Sequence, residues 1–330
     1  RLPLREHSHV MHQLHETLGR LMHAAGACAW GLSSAADTST TDLALLDRWL
    51  DSGRHASMDY MRRNRGLFAT PSAMLEGVKT IISAAFAYRP ADQSDRHPLF
   101  ADYARGADYH KALRRRLKPA ATALQEMFPQ SRTRICVDSA PVREKYFAIR
   151  CGIAAPLRNG LVAVPGAGSK VFLAEILWTE ETAIPATEPI PSPCGACRRC
   201  QQACPGGAIC GDGSVDARRC LSYLTIEHDG DLPEDIPYGR RVFGCDICQD
   251  VCPLNSGACA MPLEEFRLSP ALAATDIESL VALDSQGHAA LFAGSAAKRA
   301  PLERLRRNIS RIANRPAAPE GDGGPQKCGS

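Results

Sequence analysis

Eight cysteines between residues 194 and 252 constrain this chain more than any other feature. Cys194, Cys197, Cys200 and Cys204 follow C-x2-C-x2-C-x3-C-P, and Cys245, Cys248 and Cys252 follow C-x2-C-x3-C-P. In the first spacing three thiolates hold one [4Fe–4S] cube and the fourth reaches across to another. The second run lacks a leading cysteine, which Cys220 upstream can supply. The crossed pattern assigns Cys194, Cys197, Cys200 and Cys252 to one cluster, and Cys204, Cys220, Cys245 and Cys248 to the other. Two readings compete with iron and sulfide. Zinc prefers two separated C-x2-C pairs, and a triple run ending in Cys-Pro is unusual for it. Disulfide frameworks belong to short secreted chains. Two clusters move electrons; the cysteines alone do not say to what.

The chain has 330 residues, enough for two or three domains, and 45% of them are hydrophobic. Its formal net charge is +3, so local charge matters more than the total. Of 14 cysteines, Cys28, Cys136, Cys151, Cys210, Cys259 and Cys328 show no pairing pattern. Thiolate clusters assemble in a reducing compartment, which points to the cytoplasm. No apolar run reaches the roughly 18 residues of a membrane span, and no signal peptide is evident.

Residues 7–25 carry Val10, Leu14, Leu18, Leu21 and Met22 at helical spacing. His12 and His15 could share a face and bind metal, but no thiol or carboxylate completes a ligand set, so a solvated face is the simpler reading. Thr41-Asp42 is placed to cap a second helix. Val78–Tyr88 reads as a buried strand ended by Pro90. The segment Y-A-R-G-A-D-Y-H-K (103–111) leads into a long helix made basic by Arg114, Arg115, Arg116 and Lys118. Arg134–Val137 is a short strand, and Asp138 lies at its exit before a helix. On local grounds that Asp is a helix cap first and a chemical group second. Residues 160–165 and 172–178 are further apolar segments, and 187–193 is a Pro-rich linker. Arg304, Arg307 and Arg311 recur at helical spacing near the C-terminus. Their stripe suits phosphate binding or a solvated face equally.

Taken together, the chain resembles the epoxyqueuosine reductases, cobalamin-dependent iron–sulfur enzymes of tRNA modification. The resemblance spans roughly residues 10–315. It rests on Y-A-R-G-A-D-Y-H-K, V-D-S-A-P-V-R-E-K, C-G-A-C-R-R-C-Q-Q-A-C-P, A-R-R-C-L-S-Y-L-T-I-E and F-G-C-D-I-C-Q-D-V-C-P-L-N, in that order. It implies an α+β protein with an N-terminal α/β cobalamin domain (1–186), a linker (187–193), a ferredoxin-like two-cluster domain (194–261), a basic helical segment (262–315) and a disordered tail (316–330). It implies reduction of an epoxide on a tRNA base to an alkene, with electrons relayed through the clusters to cobalamin. Asp138 would be the general acid, its pKa raised by burial against the corrin. Tyr103, Asn159, Val162, Ser222 and Asp246 would lie near the cofactor, with the Cys194–Cys252 cluster nearest cobalt. Arg114, Arg115, Arg304, Arg307 and Arg311 would meet tRNA phosphates. An external electron donor is required, no membrane is involved, and a monomer is expected. The chain departs from the family at Leu157, where a Gly is usual, and at Arg158, where a Lys is usual; it also has Cys204-Pro205-Gly206-Gly207 in place of Cys-Pro-Thr-Gly. A reductive dehalogenase would share the cofactors but have no use for the basic helices. A ferredoxin-type carrier would have no use for a corrin or for Asp138.

Overall fold

The computed structural model describes residues 4–36, 40–182, 188–258 and 262–313. Cys259, Cys328 and the tail 316–330 lie outside them. The N-terminal region is built on a four-stranded sheet, ordered β1 (Ala29–Ser34), β2 (Thr80–Ala87), β6 (Val171–Trp178) and β3 (Thr133–Cys136), with every neighbouring pair antiparallel. A small hairpin pairs β4 (Ala155–Pro156) with β5 (Val162–Ala163). The chain is therefore α+β in the strict sense, and its N-terminal domain lacks the parallel sheet that the α/β label suggests.

All eight residues of β2 are buried, because both faces of the sheet are covered. Ile82, Ala84 and Phe86 share a core with Leu14, Leu18 and Met22 of the helix Leu4–Ala25, and with Leu113, Leu117 and Leu124 of the helix Tyr109–Met127. The alternate residues face the other way, as strand geometry requires. Ile81 meets Phe147 of the helix Glu144–Arg150, while Ala85 shares a cluster with Ala148, Ile153 and Val162. The sequence signal identified β2 and β3 and left β6 open between strand and helix. It missed β1, whose Gly and Ser residues weaken the pattern.

The C-terminal half does not stand apart from this sheet. Leu99 and Phe100 form one core with Phe243, Leu272, Phe292, Leu305 and Ile309. Phe266 enters the core beneath the helix Tyr109–Met127. Ala217 N donates to Arg54 O at 2.8 Å, and Trp49 Nε1 donates to Val215 O at 2.8 Å. The segment 262–313 is a string of short helices ending in the helix Leu302–Ala313.

At the centre of the interlock lies an ion network. Lys170 Nζ donates to both Asp102 and Asp250, and Arg96 Nη2 donates to the same two carboxylates. Arg105, fully buried, reaches Asp95 at 3.0 Å and Asp102 at 3.6 Å. Asp102 N donates to Asp246 Oδ2 at 2.7 Å. Asp246 and Asp250 flank Cys248, so the network fixes the cysteine-bearing helix Ile247–Asp250 to the N-terminal domain.

Candidate functional site

Asp138 leaves β3 with φ of +50°, one of two non-glycine residues with positive φ among those described. Such backbone is strained for a residue with a Cβ and marks sites where function constrains the chain. Its carboxylate is not a helix cap. Asp138 Oδ2 accepts from the Tyr109 hydroxyl at 2.9 Å and lies 2.8 Å from His110 Nε2. His110 Nδ1 lies 2.7 Å from Asp108 Oδ1, and Nε2 also lies 3.0 Å from Arg299 Nη1. Asp108 has two tasks, since its carboxylate also caps the helix by accepting from His110 N. The Asp138 backbone N–H donates to Glu144 Oε1, which holds the turn in place.

The Asp138 side chain is half accessible, with 52% of it exposed, yet it sits deep enough for burial to be the largest influence on its pKa. Burial pushes the value up. The His110 hydrogen bond and charge, the Tyr109 hydroxyl and the charge of Arg299 outweigh it, and the net pKa falls below the usual 3.8. This corrects the expectation of a raised value. The raised carboxyl is its neighbour. Burial first, and then the charge of Asp138, push Glu144 up to about 8. Behind it Glu175, fully buried and accepting from Ser83 Oγ at 3.2 Å, is raised well above 4.5.

Tyr103 packs edge-on to Tyr109, with centroids 6.4 Å apart, and against Phe243. Burial, and then the charges of Asp246 and Asp138, raise its phenol well above 10. Tyr60 is 40% exposed, and burial with the charges of Glu227 and Asp138 pushes it up to about 12. Three phenols thus lie within the electrostatic reach of one anchored aspartate.

The eight cysteines gather as the crossed pattern requires. The Cys200 thiol is pushed up by burial and then by the charges of Cys194, Cys252 and Cys197. Cys248, raised by burial first, responds to Cys245, Cys220 and Cys204. None of the eight forms a disulfide. No three His, Cys, Asp or Glu side chains among the described residues converge on a single-ion point. Four thiols grouped in the ferredoxin spacing suit an iron–sulfur cube better than one zinc ion. Backbone N–H groups already point at sulfur, from Arg158 to Cys194 and from Ala208 to Cys204, each at 3.3 Å.

The two sets differ in depth. Asn159, 5% exposed, hydrogen-bonds Cys248, and buried Asp246 adjoins Cys245. Burial, with the charge of Asp102 next, raises Asp246 to about 6. Ser222 lies on the first turn of the helix Leu221–Ile226, directly after Cys220. These residues belong with the Cys204/Cys220/Cys245/Cys248 set, so that set is the inner one. The Cys194–Cys252 set, expected nearest cobalt, opens to solvent at Cys197. Ser222 and Asp246, which carried that expectation, neighbour the other four cysteines.

Other candidates fare unevenly. The Val162 side chain belongs to the sheet core. Arg114 is exposed beside the site and donates to Ser139 Oγ at 2.9 Å. Arg115 is 71% exposed, with Glu265 at 3.6 Å. Arg304, Arg307 and Arg311 do not form a free cationic stripe. Arg304 donates to Ile226 O and Asp229, Arg307 to Leu224, His228 and Gly230 carbonyls, and Arg311 to Pro233 O. Carbonyls left open at the end of the helix Leu221–Ile226 and the loop after it draw these guanidinium groups inward. His12 pairs only with Glu16 at 3.4 Å, and His15 packs on Trp30. A cavity of about 420 Å³ lies against Pro205, Tyr238 and Ile247, and its lining includes none of the Asp138 contacts.

The sequence reading missed Tyr109, His110, Glu144 and Arg299. The first two lie in a motif it singled out, where Asp108-x-His110 was the available signal. Arg299 arrives from a distant segment and carried no local signal.

Comparison with known proteins places these features. Residues 69–139 match the family described as epoxyqueuosine reductase QueG, DUF1730, and residues 193–255 match the 4Fe-4S double cluster binding domain. The epoxyqueuosine reductase of Aliivibrio fischeri is 36% identical over 276 residues, covering 81% of this chain and 74% of its own length. This chain belongs to the epoxyqueuosine reductase family. The Escherichia coli member is also 36% identical, over 85% of this chain and 78% of its own. A crystal structure of an epoxyqueuosine reductase with an epoxyqueuosine-modified tRNA-Tyr stem loop superposes with a TM-score of 0.82 at 28% identity, over 92% of this chain and 81% of that one. The Bacillus subtilis enzyme, seen with its catalytic aspartate loop swung out of the active site, gives 0.81 at 26% identity, over the same shares.

Proposed function

We propose that this protein reduces epoxyqueuosine to queuosine in the anticodon loop of tRNA. The observation that carries the reading is the Asp138 carboxylate. It is held in strained backbone by Tyr109, His110 and Glu144, and Tyr103, packed against Tyr109, lies between it and Asp246 of the inner cysteine set. Two [4Fe–4S] clusters and cobalamin are the cofactors of this enzyme. Cys204, Cys220, Cys245 and Cys248 would hold the inner cluster, and Cys194, Cys197, Cys200 and Cys252 the outer one. Tyr103, Asp138, Asn159, Ser222 and Asp246 would border cobalamin. Bound cobalamin supplies a reducible, strongly nucleophilic cobalt centre, and the clusters supply electrons one at a time.

Removing the epoxide oxygen as water, with an alkene left behind, takes two electrons and two protons. The protein's part is the protons. A neutral His110 whose Nδ1–H donates to Asp108 offers Nε2 as an acceptor, so the 2.8 Å contact to Asp138 Oδ2 requires a proton on one side or the other. That proton is shared between His110 and Asp138. Asp138, the half-exposed member, delivers it to the leaving oxygen; the second proton, and the one that recharges the pair, come from solvent. Tyr109 aims the same oxygen, and Arg299 steadies the negative charge left behind. A shared proton answers the depressed pKa of Asp138, because the donor is the pair rather than the isolated carboxyl.

Exposed Arg114 and Arg115, on the helix beside Asp138, supply the phosphate contacts; Arg304, Arg307 and Arg311 serve as clamps. An unpaired anticodon base reaches such a site at small cost. An external one-electron donor refills the clusters. We further infer a monomer acting in the reducing cytoplasm; among the described residues no helix is long and apolar enough to cross a membrane. Nucleoside analysis of epoxyqueuosine-containing tRNA, after incubation with protein, cobalamin and reductant, tests the reading. Absence of queuosine with both clusters intact would defeat it.

A further inference from the structure

The outer cysteine set breaks the surface in an acid-free stretch of the chain. Cys197 is exposed, and Arg198 and Arg199, between Cys197 and Cys200, are exposed as well. Neither guanidinium has a hydrogen-bond or ion-pair partner among the described residues, in contrast to Arg304, Arg307 and Arg311. From Pro189 to Gly211 the sequence holds no Asp or Glu. The next acid, Asp212, is engaged by Ser214 and by Arg54 at 3.9 Å. A third cation is fixed beneath the loop, where the Arg158 guanidinium donates to the Gly195, Cys197 and Gly211 carbonyls at 2.8–3.2 Å. The outer side of the loop is open: a Cβ built on Gly195 would meet nothing within 4 Å.

We propose that this face is the electron entry port, and that Arg198 and Arg199 dock an acidic one-electron carrier protein over the outer cluster. The inference rests on the two-cluster reading given above. Each encounter moves one electron, so the carrier is oxidised by one electron and the outer cluster reduced by one. Two encounters supply one turnover. Unpaired cations around an exposed redox group raise the encounter rate with an anionic partner and orient it. Arg158 cannot serve this way, since its three carbonyl bonds hold it in the loop.

The test uses the holoenzyme without tRNA. A photoreduced plant-type [2Fe–2S] ferredoxin is the acidic probe, and photoreduced deazaflavin is the small-molecule control. Bleaching of cluster absorbance is followed by rapid mixing. The double variant Arg198→Glu with Arg199→Glu is expected to lower the second-order rate with ferredoxin about tenfold or more at low salt. The double variant Arg198→Gln with Arg199→Gln should lower it by a smaller factor, and high salt should shrink both differences. The deazaflavin rate and the iron and sulfide content should match wild type. An unchanged ferredoxin rate overturns the proposal. So does equal slowing by both reductants, which would make the arginines tuners of the cluster. Loss of stem-loop RNA affinity with unchanged reduction would reassign the face to RNA. A wild-type protein that takes up no iron or sulfide sinks the two-cluster reading first, and the iron assay alone tells that failure apart.

Discussion

Two aspartates show how differently one chain uses the same side chain. Asp102 is 2% exposed and faces Lys170, Arg96 and Arg105. Its partners are permanent cations, each anchored by another carboxylate or carbonyl. Asp138 is 52% exposed and faces a histidine and a phenol. Its partners are an imidazole and a hydroxyl, which hold it by hydrogen bonds. Burial among matched permanent charges fixes geometry, and here it fixes the helix that carries Cys248. Partial exposure beside titratable groups leaves a proton free to move, which a reductive deoxygenation needs.

The largest expected effect falls on the second site. Asp138→Asn should lower queuosine formation by about 10²–10⁴, the usual contribution of a positioned acid, with cluster content unchanged. Full turnover in that variant would erase the distinction between the aspartates. Lys170→Met should do the reverse in kind. Removing one partner of a buried ion network costs about 3–5 kcal/mol, read by denaturant titration, with iron content falling as the helix Ile247–Asp250 loosens. A Lys170→Met protein that kept its stability would show the network to be dispensable.

A smaller effect concerns pH. Glu144 has a folded value of about 8 against a usual 4.5, so the folded state binds more protons across that window. Its contribution to stability is full below about 4.5 and is lost as pH rises through 8. Asp138, depressed below 3.8, has the opposite sign: its contribution is present above that value and is lost as pH falls further. Glu144→Gln should therefore flatten the decline in melting temperature between pH 5 and 8, leaving the acid limb in place. An unaltered decline would assign the proton to buried Glu175 instead. The smallest effect is conformational. Asp138→Gly relieves positive φ and should raise stability by about 1 kcal/mol or less while abolishing turnover. A clear loss of stability would show the Tyr109 and His110 contacts to outweigh the strain.

Legibility followed the range of the interaction. The crossed cysteine sets were readable because cluster ligation depends on spacing along a short stretch. Strand β2 was readable because eight consecutive buried residues leave a continuous apolar run. Strand β1 was not, since Gly31 and Ser33 belong there for contact reasons: a Cβ on Gly31 would lie 2.6 Å from Cys151 O. The arginine spacing at 304, 307 and 311 was read correctly as one helical face. Which way that face looks depends on carbonyls some 80 residues earlier in the chain.

The sequence alone determined the family, the two-cluster cysteine pattern with its crossed grouping, and the position of Asp138 as a candidate. Tertiary structure decided which cysteine set lies inside, which arginines are tied down and which stay free. It also decided which groups hold the Asp138 carboxylate. Ligand spacing is a property of neighbouring residues. Charge state and burial are set by whatever distant segments bring alongside, and for Asp138 those are Tyr109 and His110, Glu144 and, from the far end of the chain, Arg299.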